Sequence, residues 1–160
     1  MAVIHAMHGY MGCGKTTFSK KLEIDLKAIR FSPDEWMYHF YGKNPQGVSF
    51  DDCSKRIEKM IFDLSGKILE CDIDVVLDFG FWRRKGRDDL RLFARHYNVD
   101  LFIYQFNVSY DEGKRRVLER TESNCHGELW IDENAYDTLY GHFEPIQDDE
   151  KALTQIIIKS

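Results

Sequence analysis

Gly9-Tyr10-Met11-Gly12-Cys13-Gly14-Lys15-Thr16 is the stretch on which the reading of this chain turns. It fits the pattern G-x-x-x-x-G-K-[ST], a phosphate-binding loop when it follows a strand and opens a helix. Both flanks agree. The run from Ala2 to His8 is short and mostly apolar, with Val3, Ile4, Ala6 and Met7, and reads as a buried strand. From Lys15 to about Asp25, Phe18 and Leu22 fall four apart among polar residues, as on one face of a helix. The chemistry requires backbone N–H groups wrapped around a β-phosphate, at backbone angles that favour glycine. The helix N-terminus adds partial positive charge at the same place. Gly9, Gly12, Cys13 and Gly14 then form the cradle. Lys15 reaches the β- and γ-oxygens, the Thr16 hydroxyl takes Mg²⁺, and Thr17 meets the next phosphate back.

Outward from the loop, strands and helices alternate. Ala28 to Phe31 reads as a second strand leading to Ser32-Pro33-Asp34, and residues 41–49 as a loop rich in Gly, Pro and Asn. Cys53, Ile57, Met60, Ile61, Leu64, Ile68 and Cys71 recur at spacings of three and four and predict a long helix capped by Ser49 or Asp51. Val75-Val76-Leu77-Asp78 predicts a third strand ending in a carboxylate. Leu90, Phe93, Ala94 and Tyr97 mark another helix, and Leu101 to Phe106 a fourth strand. Ser109 and Glu112 have capping-box spacing before a helix to about Thr121, with Arg116 and Arg120 on one side and Arg115 pointing elsewhere. Asp132 caps a last predicted helix that stops at Gly141, and Thr154 to Ile158 gives a fifth strand. This order implies a three-layer α/β/α fold with a five-stranded parallel sheet.

The chain has 160 residues, of which 43% are hydrophobic and 14% aromatic, enough for one well-filled core and too few for two. A single domain over residues 1–160 is therefore expected. The net charge of −5 gives no general attraction to a polyanion. Residues 79–87 (FGFWRRKGR) still interleave aromatic and basic side chains. They read either as a nucleic-acid patch or, preferably, as a small-substrate wall or structural element whose arginines pair with acidic neighbours. Cys13, Cys53, Cys71 and Cys125 have no Cys-x-x-Cys spacing, and the six histidines no ligand spacing, so neither a zinc site nor a redox dithiol is indicated. No apolar run approaches a membrane span and no leader precedes the first strand, so a cytoplasmic protein is expected.

Gly12 makes the loop Gly-x-x-Gly-x-Gly-Lys-Thr-Thr. Together with Ser32-Pro33-Asp34, the run from Val75 to Trp82, Arg116-x-x-x-Arg120 and Phe143-Glu144-Pro145 through Glu150, it resembles bacterial kinases related to zeta toxin, chloramphenicol phosphotransferase and the polynucleotide kinase domain. The resemblance implies a P-loop kinase with a small mobile lid, here about residues 110–128. It implies that Asp34 is the base for the acceptor hydroxyl, at the carboxyl ends of the strands where ligands of such sheets bind. A helix cap is the other reading of Asp34. It further implies that Arg116 and Arg120 are lid arginines closing over ATP, against the alternative of a solvated basic face. Asp78 is placed as a Walker-B-type carboxylate would be, holding Mg²⁺ through water, or serves as a structural acceptor. Polynucleotide kinases of the group follow the base with an arginine that grips substrate phosphate, whereas Glu35, Trp36 and Met37 stand here.

The expected activity is ATP- and Mg²⁺-dependent transfer of the γ-phosphoryl group to a hydroxyl of a small molecule. A polynucleotide 5′-hydroxyl kinase and a P-loop ATPase or nucleotide-sensing binding protein are the alternatives.

Overall fold

A parallel sheet of five strands in the order β2-β3-β1-β4-β5 organises the computed structural model, which describes residues 1–42, 47, 49–123 and 131–159. The strands are β1 (Val3–His8), β2 (Ile29–Phe31), β3 (Val75–Gly80), β4 (Asp100–Phe106) and β5 (Gln155–Lys159). The helices are α1 (Lys15–Leu26), α2 (Pro33–Tyr41), α3 (Phe50–Glu70), α4 (Arg84–Tyr97), α5 (Tyr110–Glu122), α6 (Glu133–Tyr140) and the single turn α7 (Asp148–Lys151). Side chains alternate across each strand. Ile4 and Ala6 therefore face Ile57, Ile61 and Leu90 of α3 and α4, while Met7 faces the α1 side with Phe18 and Leu22. These two cores make the three layers that the sequence implies. None of the helices formed by the described residues is long and apolar enough to cross a membrane.

Several boundaries follow from local chemistry. Ser49, Ser109 and Asp132 accept from the backbone N–H three residues on, capping α3, α5 and α6. Helix α2 is absent from the pattern reading, yet its signal is present: Ser32 is the cap, accepting from Glu35 N, and Pro33 sits at the first helical position. The capping role considered for Asp34 thus belongs to Ser32.

The buried stripe of α3 also differs from the spacing rule. Met60 and Leu64 are 49% and 36% exposed, and Ser65 and Gly66 are buried instead. Tyr97 of α4 lies where a Cβ on Gly66 would be, so small residues line the α3–α4 crossing and the larger ones rotate outward.

Arg87 and Glu150, both fully buried, join α4 to α7 through a two-pronged ion pair of 2.8 and 2.7 Å. Arg87 Nη1 also donates to the carbonyls of Phe81, Trp82 and Glu144, and Arg91 donates to Glu150 at 2.9 Å. One guanidinium thereby ties the β3–α4 turn to the 144–150 segment. Burial pushes the Glu150 carboxyl upward, but hydrogen bonds from Arg87, the Gln147 N–H and Arg91 outweigh it and hold the group down at about 2.

Removing one member of this cluster strands the other charge. Glu150→Ala is expected to cost about 3–5 kcal/mol in urea unfolding, and Arg87→Met with Glu150→Leu should restore only part of the loss, because the carbonyls of Phe81, Trp82 and Glu144 then lack their donor. Because the folded-state value lies below the ordinary 4.5, the stabilising contribution is complete above that pH and declines as pH falls toward 2. A wild-type stability that is flat across that acid window would contradict this assignment.

Candidate active site

The carboxyl ends of β2, β3 and β1 stand side by side, because β3 pairs with both neighbours. Asp34 follows β2, Asp78 lies in β3, and the glycine loop follows β1. With strands 4.7–4.9 Å apart, the ends of β2 and β1 lie roughly 10 Å apart along the sheet edge.

Within the loop, Gly12 and Gly14 adopt φ of +79° and +92°, where other residues are strained. Their reasons for being glycine differ. A Cβ on Gly12 would overlap the Gly113 carbonyl of α5, whereas one on Gly14 would meet nothing within 4 Å. Gly14 therefore owes its identity to backbone conformation and to open space above the loop. Beyond it, α1 begins with no capping side chain and no acid in its first turn, unlike α2, α3, α5 and α6. Its first-turn N–H groups are thus left to an anionic ligand. Lys15 folds back, donating from Nζ to Tyr10 O at 2.7 Å and lying 3.5 Å from Cys13 Sγ. Thr16 is half-buried and Thr17 exposed at the mouth of the loop.

Asp78 is only 6% exposed and accepts from Ser19 Oγ at 2.9 Å, a partner on α1 that the sequence reading misses. Ser19 Oγ also lies 3.0 Å from Thr16 O. The Thr16 hydroxyl and the second Asp78 oxygen are hard oxygen donors at adjacent element ends, a set that suits Mg²⁺, which is bound by few protein oxygens.

Asp34 is exposed in the first turn of α2. That turn is anchored by Glu35, which receives a fork from Arg30 and an ion pair from Lys20 of α1. Opposite, α5 lies against the loop. Arg116 donates to Gly12 O at 3.3 Å and to Glu112 at 2.6 Å, and Arg120 is half-buried one turn further on. Arg115 does not turn away as expected, since it shares Glu112 with Arg116. These two hydrogen bonds hold the Glu112 carboxyl down at about 2. Residues 124–128 of the expected lid, and Cys125, fall outside the described residues.

An aromatic cluster backs the loop. Tyr10 packs on Trp82, Tyr136 and Tyr140 with ring centroids 4.9 Å apart, and donates from its hydroxyl to Tyr136 O at 2.6 Å. Trp82 Nε1 donates to Gly9 O. The arginines of the 79–87 segment are engaged: Arg84 with Asp149, Arg87 with Glu150, and Arg83 with His142. Arg84 and Arg87 thus have the acidic partners expected from the sequence, whereas Arg83 meets a histidine.

The chain matches the model of the AAA domain family over residues 4–146. It belongs to that family. No curated protein matches the sequence. Among solved structures, Kti12 of Chaetomium thermophilum in complex with ADP-AlF3 superposes with a TM-score of 0.74 at 14% identity, covering 98% of this chain and 88% of that one. A chain of the Pnkp1/Rnl/Hen1 RNA repair complex gives 0.72 at 18%, with 88% of this chain matching 43% of that one. A sugar kinase from Janibacter sp. HTCC2649 gives 0.64 at 13%, covering 99% and 84%. At these identities the likeness is one of fold, an α/β P-loop NTPase-like fold.

The two loop glycines separate packing from ligand binding. Both Gly12→Ala and Gly14→Ala carry positive-φ strain of about 1–2 kcal/mol, but only the first also drives a methyl into α5. Thermal unfolding without nucleotide should therefore show the larger Tm loss for Gly12→Ala. Equal losses would mean that the α5 contact does not set the loop.

Proposed function

We propose that this protein is an ATP-dependent kinase that transfers the γ-phosphoryl group to a hydroxyl of a small-molecule acceptor. The observation that carries the reading is the order of three adjacent strands, with Asp34 just after β2, Asp78 in β3 and the glycine loop just after β1, and with Arg116 bonded to that loop. A carboxylate one strand beyond the Mg²⁺-binding position leaves a gap in which a hydroxyl can lie between it and the γ-phosphoryl. A plain ATPase has no need of that gap.

In this reading Gly9, Gly12, Cys13, Gly14, Lys15, Thr16 and Thr17 bind the triphosphate. Lys15 releases Tyr10 O to reach the β- and γ-oxygens. Thr16 and, through water, Asp78 would hold Mg²⁺, which would supply positive charge against the triphosphate. Ser19 fixes the Asp78 rotamer. Asp34 orients the acceptor hydroxyl and takes its proton as the new P–O bond forms and the bond to ADP breaks. Arg116 and Arg120, carried by α5, stabilise charge on the migrating phosphoryl. The narrower likeness to zeta toxin and chloramphenicol phosphotransferase, carried by the motifs above, agrees with these roles. The pairing of Arg84 and Arg87 with acids and the net charge of −5 favour a small acceptor over a polynucleotide end.

Lys15→Ala is expected to abolish tight ATP binding in calorimetry. Asp34→Asn should leave ATP affinity within about twofold while lowering acceptor phosphorylation by about 10²–10⁴, the usual worth of a general base. The assay is MgATP with a panel of hydroxyl metabolites and antibiotics, alongside 5′-hydroxyl oligonucleotides. Tight ATP binding with no phosphorylated product from the small molecules would sink the proposal, and transfer to oligonucleotide ends would replace it with the polynucleotide reading.

A further inference from the structure

Behind the glycine loop lies a cavity of about 380 Å³, bounded by the ends of β1 and β4, by α5 and α6, and by residues 143–145. It is far larger than one water's share of about 30 Å³ and falls in the size range of small-molecule sites. It adjoins the phosphate cradle, sharing Tyr10, Met11 and Cys13 with the glycine loop. His8 and Gln105, paired across β1 and β4, form its floor, and Tyr110, Tyr140 and Phe143 line its sides.

His8 supplies the independent observation. It is 1% exposed, stacked on Phe143 at 5.2 Å, and its Nδ1 lies 3.0 Å from Phe81 O. A carbonyl can only accept, so Nδ1 carries the hydrogen and Nε2 is left as a bare acceptor. Burial, reinforced by the nearby Arg87 charge, pushes the imidazole down to about 4 against the pull of the Phe81 bond, so the ring is neutral at physiological pH. Among the described residues the one hydrogen bond of the His8 ring is that of Nδ1, and His8 lines the cavity. Beside it, Gln105 Nε2 donates to Asn107 Oδ1 at 3.1 Å, which leaves the Gln105 carbonyl oxygen and the Asn107 amide nitrogen for other partners. Acceptors, a donor and flat aromatic walls, with no ionised side chain among the lining residues, select an uncharged ring that carries its own N–H.

We propose that this cavity is a second small-molecule site, taking a neutral heteroaromatic ring that donates an N–H to His8 Nε2. Tyr10, Met11 and Cys13 form both the outer wall of the cavity and the glycine loop, so an occupant would brace the loop from behind without entering the phosphate cradle.

Benzimidazole, with one N–H donor, and N-methylbenzimidazole, which lacks it, are the probes, titrated into the full chain by heteronuclear NMR with histidine side-chain detection. Benzimidazole should shift the His8 Nε2, Tyr140 and Phe143 signals. The methylated ring should bind on the order of tenfold more weakly, the worth of one hydrogen bond. His8→Phe, which keeps the stack on Phe143, should show a comparable loss, and the N-methyl comparison on the wild type stands if that variant is unstable. Binding should persist when the nucleotide site is saturated with a non-hydrolysable ATP analogue. Displacement by the analogue, equal affinity of the two probes, or no shift at millimolar probe would each overturn the proposal. These outcomes are read without turnover, so they are separable from failure of the kinase reading.

Discussion

The contact between Gly12 and Gly113 is the constraint from which the rest of the site follows. Two backbones meet there with no room for a side chain on the loop, and the near-contact fixes how α5 sits on the glycine loop. With α5 in that position, Arg116 reaches Gly12 O, and the Tyr136 hydroxyl lies 3.4 Å from both Met11 O and Tyr110 O. The conformation of the phosphate cradle is therefore tied to α5, which bears the proposed lid arginines, and to α6. A lid that moved away would have to break these backbone contacts, while one that stays delivers positive charge to the cradle.

The other side of the loop is held by charge buried in the protein. Trp82 bonds Gly9 O and His8 bonds Phe81 O, so the β3–α4 turn grips the loop from below. That turn is in turn gripped by Arg87, whose guanidinium is saturated by Glu150 and backbone carbonyls. An apolar substitute could fill the same volume, but it would leave the carbonyls of Phe81, Trp82 and Glu144 without a donor. Arg87 thus serves the frame of the glycine loop.

Local signals carried much of this fold. The glycine loop, the five strands and the caps at Ser49, Ser109 and Asp132 depend on neighbours a few residues apart, and each is legible in the sequence. Helix α2 was legible in principle, since Ser32-Pro33 is a cap followed by a proline at the first turn, but its exposed aromatics Phe40 and Tyr41 obscure the helical period. What depends on remote partners was not legible. Gly66 makes sense only against Tyr97, Ser19 only against Asp78, and Arg87 only against Glu150, each pair joined by the sheet rather than by sequence spacing. The same holds for Arg115, whose direction is set by Glu112 as much as by helical phase.

The central claim is one of alignment: phosphate cradle, metal carboxylate and acceptor base along three adjacent strand ends. A crystal structure with Mg²⁺ and a non-hydrolysable ATP analogue tests it most directly. The alignment predicts the β-phosphate within residues 9–16, Asp78 facing the metal, and the Asp34 carboxylate across a hydroxyl-sized gap from the γ-phosphoryl. A triphosphate bound with Asp34 directed away from the γ-phosphoryl, or with that gap filled by protein, would contradict it.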